Sequence, residues 1–274
     1  MENVIYHGDA RSVLPNIEAK SVQCCVTSPP YWQLLDYGHP KQIGQEKTPE
    51  EYVEELVSVF TEIHRILKDT GTLWINIGDT YASNWPCRRK NKVGTRSLPN
   101  GKRENRPPRL GKNLKDKDLV GTPFMLAFAL RAKGWYLRQI IVWSKTNPVP
   151  DAVLDRCCAS HEYILLLSKQ HKGYLLNSDN IREETRSRRS VWETGVSMPS
   201  TNHGATYPDE IPKLCILAGS NDGDFIIDPF FGSGTTGKVA NDLNRKFIGV
   251  EIVETYAYDS GSRTNTLFNE TTII

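Results

Sequence analysis

Apolar residues along this 274-residue chain switch repeatedly between two spacings. Short runs at residues 3–7, 22–26, 72–77, 136–143, 162–168, 225–228 and 247–251 are apolar at nearly every or every second position, which predicts strands. Stretches of helical period lie between them. Thr48, Pro49 and Glu51 make a helix start, with Thr48 as N-cap, proline at the first helical position and Glu51 closing a capping box. Tyr52, Leu56, Phe60, Ile63 and Leu67 then share one face, and Gly71 is expected to end that helix. Thr122 and Pro123 open a second helix that runs to Ala132 and ends at Gly134. A third starts near Thr235, after a glycine-rich turn. Residues 182–206 read as irregular, and the end of the chain, 255–274, is polar without a helical apolar period. Strands alternating with helices predict an α/β fold built on a mainly parallel sheet covered on both faces.

Composition narrows the class. With 38% hydrophobic residues the chain can bury one sizeable core. It shows no apolar run of membrane-spanning length, and its polar start lacks the apolar centre of a signal peptide, so a cytoplasmic protein with no membrane contact is expected. Six cysteines (Cys24, Cys25, Cys87, Cys157, Cys158 and Cys215) show neither CxxC nor zinc-like His spacing. They predict reduced, buried thiols and no metal site.

Charge changes the picture more. Residues 88–117 hold twelve Lys and Arg against two Asp and Glu, a local charge of +10. The rest of the chain, with 22 basic and 30 acidic residues, is left at −8 although the whole sums to +2. The segment is rich in Gly, Pro and Asn and carries almost no periodic apolar residue, so it reads as a loop insertion. A solvated loop is the ordinary reading of such a run, but this concentration in an otherwise acidic body favours a polyanionic partner.

Two stretches carry candidate chemistry. In Val26-Thr27-Ser28-Pro29-Pro30-Tyr31-Trp32 the prolines end a strand and leave carbonyls without a ladder partner. Alone, such a stretch is more often a rigid turn with its aromatics on the core. In Asp228-Pro229-Phe230-Phe231-Gly232-Ser233-Gly234-Thr235-Thr236 a strand meets a helix through glycines that let the backbone approach a ligand. The third glycine and the lysine of a phosphate-gripping loop are missing. Glu251 closes the next strand, where related folds place a carboxylate on a ribose diol. A nucleoside-like cofactor without a phosphate chain fits, and S-adenosylmethionine is the obvious member.

Together TSPPYW and DPFFGSGTT, in that order, resemble the amino-methyltransferases of DNA, over roughly residues 3–252. Supporting stretches are LKDTGTLWINIGDTYA, RCCASHEYILLLSK and NHGATYP. The resemblance implies a Rossmann-like S-adenosylmethionine-dependent methyltransferase fold. Ser28, Pro29, Pro30 and Tyr31 would be catalytic. Asp9, Thr27, His203, Pro208, Asp228, Pro229, Phe230, Gly232, Ser233, Gly234, Thr235 and Glu251 would hold the cofactor. The Ser28 hydroxyl and Pro29 carbonyl would accept hydrogen bonds from an exocyclic amine, localising its lone pair as the methyl arrives. Tyr31 would stack on a base turned out of the duplex.

Serine at position 28 resembles the cytosine-N4 branch, with adenine N6 as the alternative. The partner implied is double-stranded DNA, with a cognate restriction endonuclease a further candidate. The expected organisation is a catalytic half (1–82), a basic insertion (83–118), a continuation (119–180), an irregular second recognition segment (181–200), a cofactor-binding half (201–254) and an atypical polar tail (255–274). Candidate DNA contacts are Arg88, Arg89, Lys90, Lys92, Arg96, Lys102, Arg103, Arg106, Arg109, Arg188 and Arg189. Two other readings stand beside this one. One is the same chemistry on a protein glutamine amide or on RNA. The other is a DNA-binding protein whose altered tail has impaired catalysis.

Overall fold

The strands assemble side by side into one sheet in the computed structural model, which describes residues 2–83, 113–148, 153–183, 186–196, 207–264, 266 and 268–269. They are β1 (Val4–His7), β2 (Val22–Thr27), β3 (Leu67–Ile77), β4 (Tyr136–Lys145), β5 (His161–Ser168), β6 (Val191–Thr194), β7 (Phe225–Asp228), β8 (Lys246–Glu251) and β9 (Phe268–Asn269). Their order is β6-β4-β5-β3-β2-β7-β8-β1-β9. Only β5 runs antiparallel to its neighbours, β3 and β4; the remaining described pairs are parallel.

Strand alternation divides the core between two faces. Cys25, Leu165 and Leu167 point to the face covered by α1 (Ala10–Val13), α2 (Pro49–Ile66) and α3 (Thr122–Ala132). Cys24, Val26, Ile164 and Leu166 point to the face covered by α4 (Glu210–Gly219), α5 (Thr235–Asp242) and α6 (Glu254–Thr264). Every residue of β2 is buried, as expected of a strand at the centre of a two-sided sheet.

The capping box at Thr48 forms as the sequence predicts: Glu51 N donates to Thr48 Oγ1 at 3.2 Å and Thr48 N to Glu51 Oε2 at 3.3 Å. Gly71, however, does not end α2. The helix stops at Ile66, because Leu67 turns extended (φ −65°, ψ 141°) and pairs with Val22 at the start of β3. Gly71 lies inside that strand, beside a register shift against β2. A Cβ there would come to 2.9 Å from Leu67 Cβ and the Lys68 carbonyl oxygen. The glycine thus permits a close backbone passage at an irregular point of the sheet.

Other departures share a cause: the sequence pattern is short, or its buried residues are small. The segment expected to be irregular contains β6, four residues held by parallel pairing with β4 and by Trp192, which is buried near Trp74. The polar tail is helical over α6. Its inward residues, Ala257, Ser260, Gly261 and Thr264, keep a helical spacing, but they are too small or too polar for an apolar period to reveal. Cys157 and Cys158 are exposed in the β4–β5 connection, so the expectation of burial holds only for Cys24, Cys25 and Cys215 among the described cysteines.

Between β3 and α3 the described residues draw together in a tight neck. Tyr81 and Leu119 form an antiparallel bridge; Ala82 N donates to the Asp118 carbonyl at 2.8 Å and Lys117 N to the Ala82 carbonyl at 2.9 Å. Asp79 caps α3, accepting from Gly121 N at 2.9 Å and Thr122 N at 3.2 Å. Most of the basic insertion, residues 84–112, lies outside the described residues. Among the described residues no helix is long and apolar enough to cross a membrane, and no group of His, Cys, Asp or Glu could hold a metal ion.

Candidate active site

Strands β2 and β7 lie side by side and parallel at the centre of the sheet, Cys25 opposite Ile227. Their carboxyl ends therefore deliver the two motif loops to one place, at the point where strand order departs in opposite directions. Open α/β sheets bind their ligands at such a point.

A buried carboxylate clasps the two loops. Asp228 accepts from Thr27 Oγ1 at 2.6 Å, Thr236 Oγ1 at 2.5 Å and its own loop's Phe230 N at 3.0 Å. Tyr207 OH in turn meets Thr236 Oγ1 at 2.5 Å. Burial pushes the Asp228 carboxyl up to about 6, against the hydrogen bonds of Thr236, Thr27 and the Phe230 amide. Thr27 and Asp228 thus join the halves of the site from behind, and neither reaches the cavity wall.

The cavity lies in front of this clasp. Ser28 and Pro30 form one wall; Pro229, Phe230, Gly232 and Ser233 form another; Glu251 and Asp9 close the far side. Adjacent phenylalanines of the cofactor motif separate. Phe231 is buried, stacked on Phe247, and lies so close over the Gly249 and Gly237 backbones that a Cβ on either would come to 2.5 Å of its ring. Phe230 faces the cavity, edge-on to Phe60. Gly232 has φ +50°, in the left-handed region, and a Cβ there would meet nothing nearer than the Phe230 carbonyl oxygen at 4.0 Å. It is a cradle that a side chain would fill. Gly234 (φ +79°) caps α5 away from the cavity, where a Cβ would collide with Ser260 at 2.9 Å. Thr235 is buried beside it.

Glu251 is 7% exposed and accepts backbone N–H groups on both oxygens, from Gly232 at 2.7 Å and Val253 at 2.8 Å. Burial pushes its carboxyl up to about 7, those amides pull it down, and the Asp228 charge adds to the rise. Asp9 caps α1 and is tied to Arg11 through Nε at 2.9 Å and Nη2 at 2.6 Å. Burial raises the Asp9 carboxyl, but the Arg11 hydrogen bonds and charge outweigh it and hold it low. A buried diol acceptor, an open glycine cradle and an aromatic wall suit a nucleoside without a phosphate chain, so the residues fit S-adenosylmethionine.

The catalytic-motif loop is braced on all sides. Tyr52 OH donates to the Pro30 carbonyl at 2.8 Å, whereas among the described residues no donor reaches the Pro29 carbonyl. Trp32 is fully buried and donates to the Glu46 carbonyl at 3.0 Å, so it belongs to the core. Tyr31 packs over Gly78, where a Cβ would come to 2.7 Å of its ring. Its hydroxyl donates to Glu162 Oε2 at 2.5 Å.

Several residues at this site carry no local motif. Tyr37 and Tyr256 meet edge-on, with ring centroids 6.3 Å apart, and both line the cavity. Arg263 on α6 donates to the Ser233 carbonyl, Ser233 Oγ and Thr235 Oγ1 at 3.0–3.3 Å. Asn76 and Glu162 could have been flagged in sequence as polar residues within or beside apolar strand runs; Arg263 offers no such signal. Of the remaining candidates, Pro208 is buried at the start of α4 and does not line the cavity, and His203 lies outside the described residues. Arg88, Arg89, Lys90, Lys92, Arg96, Lys102, Arg103, Arg106 and Arg109 also lie outside them. Arg189 is exposed. Arg188 is largely committed within the protein, donating to the Ile181 carbonyl at 2.9 Å and pairing with Glu183, which leaves it little to offer a phosphate.

Known proteins are similar to this chain in sequence and in fold. The family model for DNA methylases matches residues 22–261. The Type II methyltransferase M.SmaI of Serratia marcescens is 44% identical over 261 residues, covering 91% of this chain and 86% of that protein. M.Cfr9I of Citrobacter freundii is 43% identical, with 92% and 84% covered. Among solved structures, TTHA0409 of Thermus thermophilus, in complex with S-adenosyl-L-methionine, is 26% identical, with TM-score 0.65 over 96% of this chain and 94% of that one. The cytosine-N4-specific PvuII DNA methyltransferase, 18% identical, shares the fold with TM-score 0.71 over 100% of this chain and 89% of its own. Its motifs, its parallel sheet and these relatives make this chain a member of the DNA methylase family, the site-specific amino-methyltransferases that use S-adenosylmethionine.

Proposed function

We propose that the protein methylates cytosine N4 at a specific DNA sequence, on a base turned out of the duplex. The observation that carries this reading is the shared cavity: Ser28 and Pro30 on one wall, Gly232, Ser233 and Glu251 on the others. In this reading Glu251 accepts the ribose hydroxyls, Gly232 allows the ligand close to the backbone, and Phe230 packs against it. S-Adenosylmethionine supplies a methyl group on a sulfonium, an electrophile that needs no further activation. The nucleophile is the difficulty, because the lone pair of an exocyclic amine is delocalised into its ring. Ser28 Oγ and the Pro29 carbonyl, to which no described residue donates, accept the amine's N–H bonds and favour a pyramidal nitrogen. Tyr31 supports the extruded base. No strong base is required, since the amine proton becomes acidic only after transfer.

Cytosine is favoured over adenine by the serine at position 28. The basic insertion, carried on the neck between β3 and α3, is assigned the phosphate contacts, since the rest of the chain has a net charge of −8. By analogy with the Type II relatives, the protein protects sites from a partner restriction endonuclease. Mass spectrometry of digested product DNA tests the reaction. N4-methylcytosine is expected; N6-methyladenine alone would move the acceptor to adenine and keep the mechanism, and no methylated base would overturn the reading.

A further inference from the structure

Five polar side chains meet at the edge of an otherwise apolar region beneath the catalytic-motif loop. Asn76 is 3% exposed in the middle of the buried run Leu73–Ile77 of β3. Its Nδ2 lies 2.8 Å from Glu162 Oε2, 3.0 Å from Tyr31 OH and 3.4 Å from Ser28 Oγ. Glu162, on β5, accepts the Tyr31 hydroxyl on the same oxygen. On its other oxygen it accepts Lys145 Nζ from β4 at 2.5 Å. Glu162 and Lys145 side chains are only 14% and 19% exposed.

A buried ion pair of this kind is often no better for stability than apolar residues of the same volume. Stability alone is therefore a weak reason for it. What the pair does locally is specific. Lys145 holds one carboxylate oxygen, and the other gathers a tyrosine hydroxyl and an asparagine amide that also reaches Ser28. The Tyr31 ring, with Gly78 under one edge and Glu162 at its tip, cannot swing. The Asn76 N–H directed at Ser28 Oγ occupies one lone pair, so the remaining lone pair and the hydroxyl hydrogen turn elsewhere, on a residue that lines the cavity.

We propose that Glu162 is a positioning residue for methyl transfer, which fixes the Tyr31 ring by accepting the Tyr31 hydroxyl. This inference rests on the proposed role of the Ser28–Tyr31 loop. It requires Glu162 to act through the Tyr31 hydroxyl, which a merely structural carboxylate would not do.

A double-mutant cycle tests it. In Glu162→Gln, Lys145 attracts the single carboxamide oxygen, so the NH2 end faces the Tyr31 hydroxyl, which loses its acceptor, and the Asn76 amide, donor against donor. The expected result is a kcat roughly 10- to 100-fold lower with an unchanged KM for S-adenosylmethionine. In a Tyr31→Phe background the same change should lower kcat less than threefold further. Equal falls in both backgrounds, or no fall in the first, would overturn the inference. Lys145→Met added to Glu162→Gln frees the carboxamide oxygen to turn back to Tyr31, and should recover part of the lost kcat; if Glu162→Gln alone does not fold, Glu162→Leu combined with Lys145→Met takes its place in the cycle. Ser28→Ala, measured alongside, separates the two ideas. Full turnover there would sink the loop's catalytic role, whereas lost turnover with an additive cycle would sink only the role of Glu162.

Discussion

Glu251 offers a quantitative test of the cofactor site, because its carboxyl sits at about 7 in the free protein. Hydroxyl donors from a ribose favour the ionised form, so binding lowers that value and releases a proton. Affinity should then rise with pH. Roughly a tenth of the free protein carries an ionised Glu251 at pH 6 and roughly nine-tenths at pH 8, so S-adenosylmethionine should bind about tenfold more tightly at the higher pH. Isothermal titration in buffers of different protonation heat counts the protons directly. Wild type should release about 0.9 more protons per ligand than Glu251→Gln at pH 6, and about 0.1 more at pH 8. The ligand's own titration is common to both proteins and cancels in that difference. Glu251→Gln should also bind more weakly throughout, since a carboxamide has one oxygen for the Gly232 and Val253 amides. Identical proton release and identical pH slopes in the two proteins would refute the assignment.

Ser28→Ala should lower turnover on the order of 10²–10³-fold in single-turnover methylation assays, with cofactor affinity nearly unchanged. Gly232→Val places a branched side chain in the open cradle at φ +50°, and calorimetry should detect no S-adenosylmethionine binding while a thermal melt still shows a folded protein. Arg263→Ala removes three hydrogen bonds from α6 to the cofactor loop and should weaken cofactor binding about fivefold without altering DNA affinity. Neutralising Arg88, Arg89, Lys90 and Lys92 together should flatten the slope of log DNA affinity against log salt by roughly 2 to 4; an unchanged slope would place the grip elsewhere.

What could be read in the sequence was chemistry that local geometry enforces. Pro29 and Pro30 end a strand wherever they stand, and the Gly232–Gly234 turn needs positive φ whatever surrounds it, so both loops and their order were visible. Strand pairs such as β7 and β8 were equally plain, because long apolar side chains mark them. The clasp at Asp228 was not: its role depends on Thr27, which lies 201 positions away and meets it only across the sheet. Glu162, Asn76 and Lys145 come from three different strands and spell no motif. Helix α6 escaped for a different reason. It packs by the smallness of Ser260 and Gly261 against Gly234 and the chain around Thr266, and small residues carry almost no hydrophobic signal.

The neck between β3 and α3 bears on how much change the fold can absorb between those two elements. Ala82 and Lys117 are hydrogen-bonded to each other, so whatever lies between them begins and ends at one point on the body. The sheet does not register how long that excursion is. Lengthening a flexible loop twofold between fixed ends costs only about 0.6 kcal/mol in closure entropy. Asp79 and the Tyr81–Leu119 bridge act as a socket, closed by backbone groups and a helix cap that make no demand on the sequence plugged into it. Segments of different length and composition can therefore be exchanged here while Ser28, Gly232 and Glu251 keep their places.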